Sequence, residues 1–127
     1  MPFYKKTEML FISSLIVILP FFLLGCKSGG TRLGQAIPKN IQQSRLSDIL
    51  REPASFNGKS VVVKGIISGQ CPSLCEFFLK DGAHHVTIFP QGYKLPKLQT
   101  GKKVTVLATV TTGDENVILS ALGIQTE

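Results

Sequence analysis

The chain has 127 residues, a formal charge of +6 and three cysteines. That length leaves room for one domain at most. The positive residues are scattered along the chain rather than clustered, which argues against the concentrated basic stripe of a dedicated nucleic-acid binder while leaving that class open on charge alone.

The first 25 residues stand apart from the rest. Lys5 and Lys6 supply a positive start, and Leu10 to Leu24 form an apolar run broken only by Ser13, Ser14 and Pro20. Fifteen residues at ~1.5 Å each fall short of the roughly 30 Å hydrocarbon core of a bilayer, so the run fits an export signal better than a membrane span. It ends in Leu23-Leu24-Gly25-Cys26. This ending resembles the lipobox of bacterial lipoproteins, and an uncleaved apolar anchor is the plainer alternative. The resemblance implies a signal peptide over residues 1–25, cut before Cys26, with a diacylglycerol on the Cys26 thiol. Each buried CH₂ of such chains contributes ~0.8 kcal/mol, so two or three acyl chains anchor a protein to membrane lipid stably. It also implies a cell-envelope protein. In a Gram-negative cell Lys27, standing where a retention aspartate would be, implies the outer membrane facing the periplasm.

Lys5, Lys6 and Glu8 leave with the leader, so residues 26–127 carry 12 Lys and Arg against 7 Asp and Glu. Such a basic domain can lie against anionic headgroups, or its charge can simply be a solvated surface. With Cys26 acylated, Cys71 and Cys75 remain as an even pair in a disulfide-permissive compartment.

Residues 26–43 are Gly-rich and polar without a sustained period, and predict a flexible tether. The domain is expected over residues 44–127. Ser44 or Ser47 can cap a short helix whose Leu46, Ile49 and Leu50 form an apolar stripe and which Pro53 stops. Five strands then follow, over residues 60–68, 75–80, 83–89, 103–111 and 116–124. Gly65 marks a bulge or bend in the first, and Asp81-Gly82 is a two-residue hairpin turn between the second and third. The predicted class is all-β, a small five-stranded barrel preceded by a short helix, closure removing the exposed edges of so small a sheet.

The run Ile49-Leu50, Pro53, Phe56, Gly58-Lys59, Val61, Val63, Gly65, then Phe78 and Asp81-Gly82, then Gly101, Val104 and Val106, resembles the exported OB-fold proteins of bacteria. These include the periplasmic bacterial-OB-fold family and proteins like tRNA anticodon-binding domains. The similarity runs from about residue 46 to 125. It implies a fold more than an activity, with ligands taken on the outer face of the second and third strands.

A turn at Asp81-Gly82 pairs Lys80 with Ala83, Leu79 with His84, Phe78 with His85 and Phe77 with Val86. Side-chain period two then puts Cys75, Phe77, Leu79, His84, Val86 and Ile88 on a core face. Glu76, Phe78, Lys80, His85, Thr87 and Phe89 fall on the outer face. Phe78 and Phe89 can stack bases or sugars there, or they can be covered by the Leu46, Ile49 and Leu50 stripe of the helix.

Cys71-Pro72-Ser73-Leu74-Cys75 is expected to close a loop-stapling disulfide, with Pro72 and Ser73 turning the chain, since an extended strand would part the Cα atoms by roughly 13 Å. Cys71, Cys75, His84 and His85 give the four ligands that zinc wants, but the two histidines point to opposite faces. Redox enzymes usually space the pair one residue closer. The haem chaperone of cytochrome c maturation is also a membrane-tethered barrel of this kind, but the Tyr that follows its haem-binding His by four residues is Ile88 or Phe89 here. With no paired carboxylates and no phosphate-binding glycine loop, no catalytic set and no cofactor are expected.

The sequence therefore predicts a lipid-anchored, non-enzymatic binding or interaction module of the envelope, its partner an envelope protein. The alternatives are a nucleotide, oligonucleotide or other small anionic ligand held by Phe78, His85 and Phe89 with Lys64, Lys80 and Lys94, and metal or haem handling through the cysteines and histidines.

Overall fold

The computed structural model describes residues 30–127, so the expected leader and the Cys26 lipid site lie outside the described residues. In chain order these form β1 (Arg32–Gly34), α1 (Leu46–Arg51), α2 (Pro53–Phe56), β2 (Ser60–Gln70), β3 (Phe77–Asp81), β4 (His84–Pro90), β5 (Lys103–Thr112) and β6 (Val117–Thr126). No helix among the described residues is long and apolar enough to cross a membrane.

Strands β2 to β6 close into a five-stranded barrel. β3 lies between β2 and β4, β4 runs parallel to β6, and β6 and β2 both pair antiparallel with β5. The period-two pattern explains the closure: Val61, Val63, Ile67, Phe77, Leu79, Val86, Ile88, Val104, Val106, Val110, Leu119 and Ile124 all turn inward into one buried cluster. Three consecutive valines start β2, and their χ1 stiffness suits the pleated backbone.

Helix α1 buries Leu46 and Ile49 in that same cluster, so the apolar stripe plugs a barrel end instead of covering the outer face. Its first residue follows Arg45, and no side chain caps it. Ser44 instead uses its backbone, donating to the Val62 carbonyl at 2.8 Å. Pro53 ends α1 and starts α2, where a first-turn proline loses no hydrogen bond. The other end of β2 meets the β4–β5 connector. There Leu95 enters the core, and the Gln70 side chain donates to Pro96 O at 2.9 Å and accepts from Leu98 N at 2.8 Å.

Three local expectations are corrected. The β3–β4 turn is Gly82-Ala83, with Asp81 opposite His84 and Leu79 opposite Val86. A two-residue change of register preserves which side chains share a face, so Phe77, Leu79, Val86 and Ile88 stand as core, but His84, expected with them, is exposed beside the turn. Strand β3 begins at Phe77, leaving Cys75 and Glu76 in the preceding loop. The bulge falls between Ile67 and Gly69. Gly65 instead permits close strand packing, because a Cβ there would lie 2.7 Å from the Lys80 carbonyl, where β3 crosses onto β2.

The largest departure is in the segment expected as a tether. Arg32–Gly34 pairs with Gly123–Gln125 of β6, and Gln43 bridges to Val62 of β2. Gly34 takes φ +70, and a Cβ there would lie 2.6 Å from the Tyr93 ring; a Cβ at Gly123 would collide with the Gln35 carbonyl. Gly123, Leu107 and Val62 form one cross-strand row. Leu107 and Val62 are buried yet lie outside the core cluster. Residues 35–43 thus strap the outside of β6, β5 and β2. The physical reason is backbone hydrogen bonding helped by glycines, which leaves no apolar period in the sequence.

Tyr93 closes over this strap and donates its hydroxyl to Ala121 O at 3.1 Å. Burial pushes its phenol up to about 12. An unfolded tyrosine ionises near ~10, so between these values the unfolded chain sheds a proton that the folded chain keeps. Tyr93 therefore contributes fully below about pH 10, and stability falls as pH rises from there toward about 12. Urea unfolding across this window is expected to show a steeper loss for the wild type than for Tyr93→Phe; equal slopes would mean that the ring is not held as described.

Candidate ligand-binding face

The strap crosses β6, β5 and β2 along the row Gly123, Leu107 and Val62, and α1 fills a barrel end. The outer surface of β3 and β4 is left open between them. Successive residues of a strand alternate faces, so Lys64, Ile66 and Ser68 of β2, Phe78 and Lys80 of β3, and His85, Thr87 and Phe89 of β4 all turn to this surface. Ile66 and Phe89 are 37% and 36% exposed, high values for apolar side chains in strands.

Register fixes which of these meet. Ile66 stands opposite both Lys103 and Lys80, and Lys80 stands opposite His85. Lys103, Ile66, Lys80 and His85 therefore form one row across four strands, and the two ammonium-bearing positions on β5 and β3 are about 10 Å apart at ~4.8 Å per strand. The next row sets Gly69 opposite Phe78 and Phe78 opposite Thr87. The bulge turns the Ser68 hydroxyl to the Phe78 carbonyl at 3.2 Å, and a Cβ at Gly69 would lie 3.2 Å from the Phe78 ring. Phe78 is thereby half-buried, flat against β2, in a hollow of about 280 Å³ that Ser68, His85 and Thr87 complete.

His85 and Thr87 also border a larger hollow of about 470 Å³, walled by Leu50, Pro53 and the β5–β6 turn with Asp114 and Glu115. The face is thus basic toward Lys80 and Lys103 and acidic at the β5–β6 turn. Beside the basic end, Arg45, Lys64, Ile66 and Lys103 line a further hollow of about 400 Å³, which Asp81 and Glu127 also border. A chain-like anion with planar rings finds cations spaced across the strands and an exposed ring at Phe89. A neutral partner finds the apolar patches at Ile66, Phe89 and, on β6, Ile118.

Of the predicted ligand residues, Lys64, Phe78, Lys80, His85 and Phe89 reach this face. Lys94 does not: it is exposed on the β4–β5 connector, outside the strands. Lys103, Ile66 and Ser68 are additions. Period two along β2 marks Ile66 and Ser68 beside Lys64, but the place of Lys103 depends on the β2–β5 register, which no local signal encodes.

The expected metal set separates. His84 faces Asp81 at the hairpin turn, and Asp81 is six residues beyond Cys75, on the order of 20 Å of extended chain. Among the described residues, the group whose ligand atoms gather within 4.8 Å is Cys71, Cys75 and Glu76, one donor short of a closed zinc site. No disulfide joins Cys71 and Cys75 in this structure, and their sulfurs lie 3.1 Å apart. The chain does turn between them: Leu74 N–H donates to Cys71 O at 2.8 Å, and Cys71 N–H to Glu76 O at 3.0 Å.

No protein-family model and no curated protein matches this sequence. Among solved structures the chain is similar to a putative aspartyl-tRNA synthetase from Leishmania major at 18% identity and a TM-score of 0.57, covering 74% of this chain and 22% of that one. The chain spans about a fifth of that enzyme's length. It is similar to the telomere capping protein Ten1 from Saccharomyces pombe at 18% identity and TM-score 0.52, covering 68% and 81%. The hypothetical protein ygiW from E. coli matches at 11% identity and TM-score 0.55, covering 75% of this chain and 100% of that one. At these identities the likeness establishes the fold, an OB-fold-like barrel.

If the outer face is spare surface for folding, its exposed ring is dispensable. Phe89→Ala is expected to change unfolding free energy by no more than about 0.5 kcal/mol, whereas Phe77→Ala, from the core, costs about 3–5 kcal/mol. Urea denaturation of the two variants checks this, and a large loss in Phe89→Ala would make that ring structural.

Proposed function

We propose that this protein is a membrane-anchored lipoprotein whose barrel is a non-enzymatic binding module, taking an anionic, ring-bearing ligand on the outer face of β3 and β4. The observation that carries this reading is the row Lys103, Ile66, Lys80 and His85, with the exposed Phe89 four residues further along β4 on the same face. Aromatic rings among spaced lysines are how barrels of this type hold single strands and nucleotides: rings stack on bases, and lysines neutralise phosphates. Ten1, an OB-fold-like neighbour, is a telomere capping protein. The anchor rests on the leader and Cys26, and an envelope address rests on the same residues.

A protein partner is the second reading. The exposed Ile66, Phe89 and Ile118 favour it, as does the likeness to an OBody bound to hen egg-white lysozyme, with a TM-score of 0.54 and 18% identity over 71% of this chain.

Fluorescence anisotropy with a labelled short oligothymidylate separates the two. Binding is expected to weaken as salt rises. Phe89→Ala should cost about 1–3 kcal/mol, and Lys80→Ala should lower the salt slope by about one charge. No binding at low salt, or binding indifferent to both substitutions, would retire the anionic-ligand reading. The anchor is tested separately: labelled palmitate is expected to enter the wild type and not Cys26→Ser, with the variant leaving the membrane fraction.

A further inference from the structure

The loop joining β2 to β3 carries chemistry that a binding face does not use. Cys71, Pro72, Ser73 and Leu74 form a tight turn, and Leu74 holds a left-handed backbone at φ 62, a conformation that costs a non-glycine residue free energy. The turn brings the two sulfurs to 3.1 Å, about an ångström beyond a bond of ~2.05 Å. The Ser73 hydroxyl sits between them, 3.1 Å from Cys71 Sγ and 3.3 Å from Cys75 Sγ.

The two thiols are not equivalent. Cys71, not Cys75, borders a hollow of about 460 Å³ walled by Gln70, Pro72, Leu74, Lys97, Leu98 and Thr100. Gln70 holds the far wall in place through Pro96 and Leu98. A small molecule in that hollow meets Cys71, apolar walls and one cation, Lys97; the Glu76 carboxylate lies within 4.8 Å of both sulfurs and works against the lysine. Cys75 is exposed on the other side of the turn.

We propose that this loop is a thiol–disulfide exchange site for small anionic disulfides, in which Cys71 is the attacking sulfur and Cys75 the resolving one. The Cys71 thiolate attacks one sulfur of a disulfide RSSR. A Cys71–SR bond forms, the R sulfur–sulfur bond breaks, and the first RS⁻ leaves to take a proton from water. Cys75 then gives its proton to water and attacks Cys71 Sγ. The Cys71–Cys75 bond forms, the mixed disulfide breaks, and the second RS⁻ departs. In balance, the dithiol is oxidised by two electrons and one RSSR becomes two RSH. Ser73 supports the first step: its hydrogen bond, then that of Cys75, hold the Cys71 thiol below the ordinary thiol value, and the thiolate is the attacking species. Lys97 selects acidic over basic disulfides. This inference does not rest on the ligand face.

The test uses the reduced full-length protein in detergent, treated with oxidised glutathione and then digested at Lys64 and Lys80. The resulting peptide, residues 65–80, contains both cysteines and leaves Cys26 out. The wild-type peptide is expected to lose two hydrogens and retain no glutathione, while that of Cys75→Ser retains one glutathione on Cys71. Cys71→Ser is expected to react about tenfold more slowly near neutral pH, with a rate that rises only in the ordinary thiol range. Cystamine, a cationic disulfide, should react more slowly than oxidised glutathione, and Lys97→Ala should narrow that difference. Two glutathiones on the wild-type peptide, or equal rates and pH profiles for the two single-cysteine variants, would overturn the proposal.

Discussion

Closure of the barrel rests on β6, which hydrogen-bonds to three strands: β5 along nearly its whole length, β4 in parallel, and β1 where β4 has ended. A five-stranded sheet left open would expose two edges and a half-covered apolar face. With β6 in place, inward side chains from every barrel strand pack against one another, and the two ends become the only routes for water into the core. Each end is then stopped by chain that is not part of the barrel, α1 at one and Leu95 at the other. Both stoppers are short and apolar on one side only, so neither has a reason to be ordered without the barrel.

The same economy decides where a ligand can sit. The strap crosses β6, β5 and β2 along the row Gly123, Leu107 and Val62, which leaves β3 and β4 as the sector it does not cross. That sector inherits its chemistry from sheet register. Lys103 and Lys80 come from segments 23 positions apart in the chain, yet one isoleucine separates them in space because Ile66 pairs on both sides. The acidic β5–β6 turn at the other end gives the face a direction, so an anion has one favourable way to lie across it.

Much of this was legible in the sequence because strands announce themselves through alternation. Val61, Val63, Phe77, Leu79, Val86 and Ile88 place the core face, and a hairpin misjudged by one turn position still sorts its side chains correctly, since parity survives a two-residue slip. The apolar stripe of α1 was equally visible, but where it docks was not: Leu46 and Ile49 look the same whether they cover Phe78 or plug an end. The strap was invisible for a different reason. Its attachments are backbone bonds at Arg32–Gly34 and a carbonyl set against Gly123, and neither has an apolar period. The cysteine loop lies between these cases. A turn between Cys71 and Cys75 follows from Pro72 and Ser73, whereas the hollow that distinguishes one sulfur from the other is made by Lys97 and Leu98, which arrive from the β4–β5 connector.

The pairing of Arg32–Gly34 with Gly123–Gln125 joins residues about ninety positions apart. Contacts of that separation close large loops, whose entropy must be met before any of the pairing is gained. On a ribosome, β1 to β5 are all made before the strand that unites them. The nascent chain therefore holds valine-rich strands with no closed core until β6, out to residue 126, has been made. A chain in that condition presents unpaired valine-rich strand edges to any other chain it meets, so the interval before β6 pairs is when this protein is most open to aggregation.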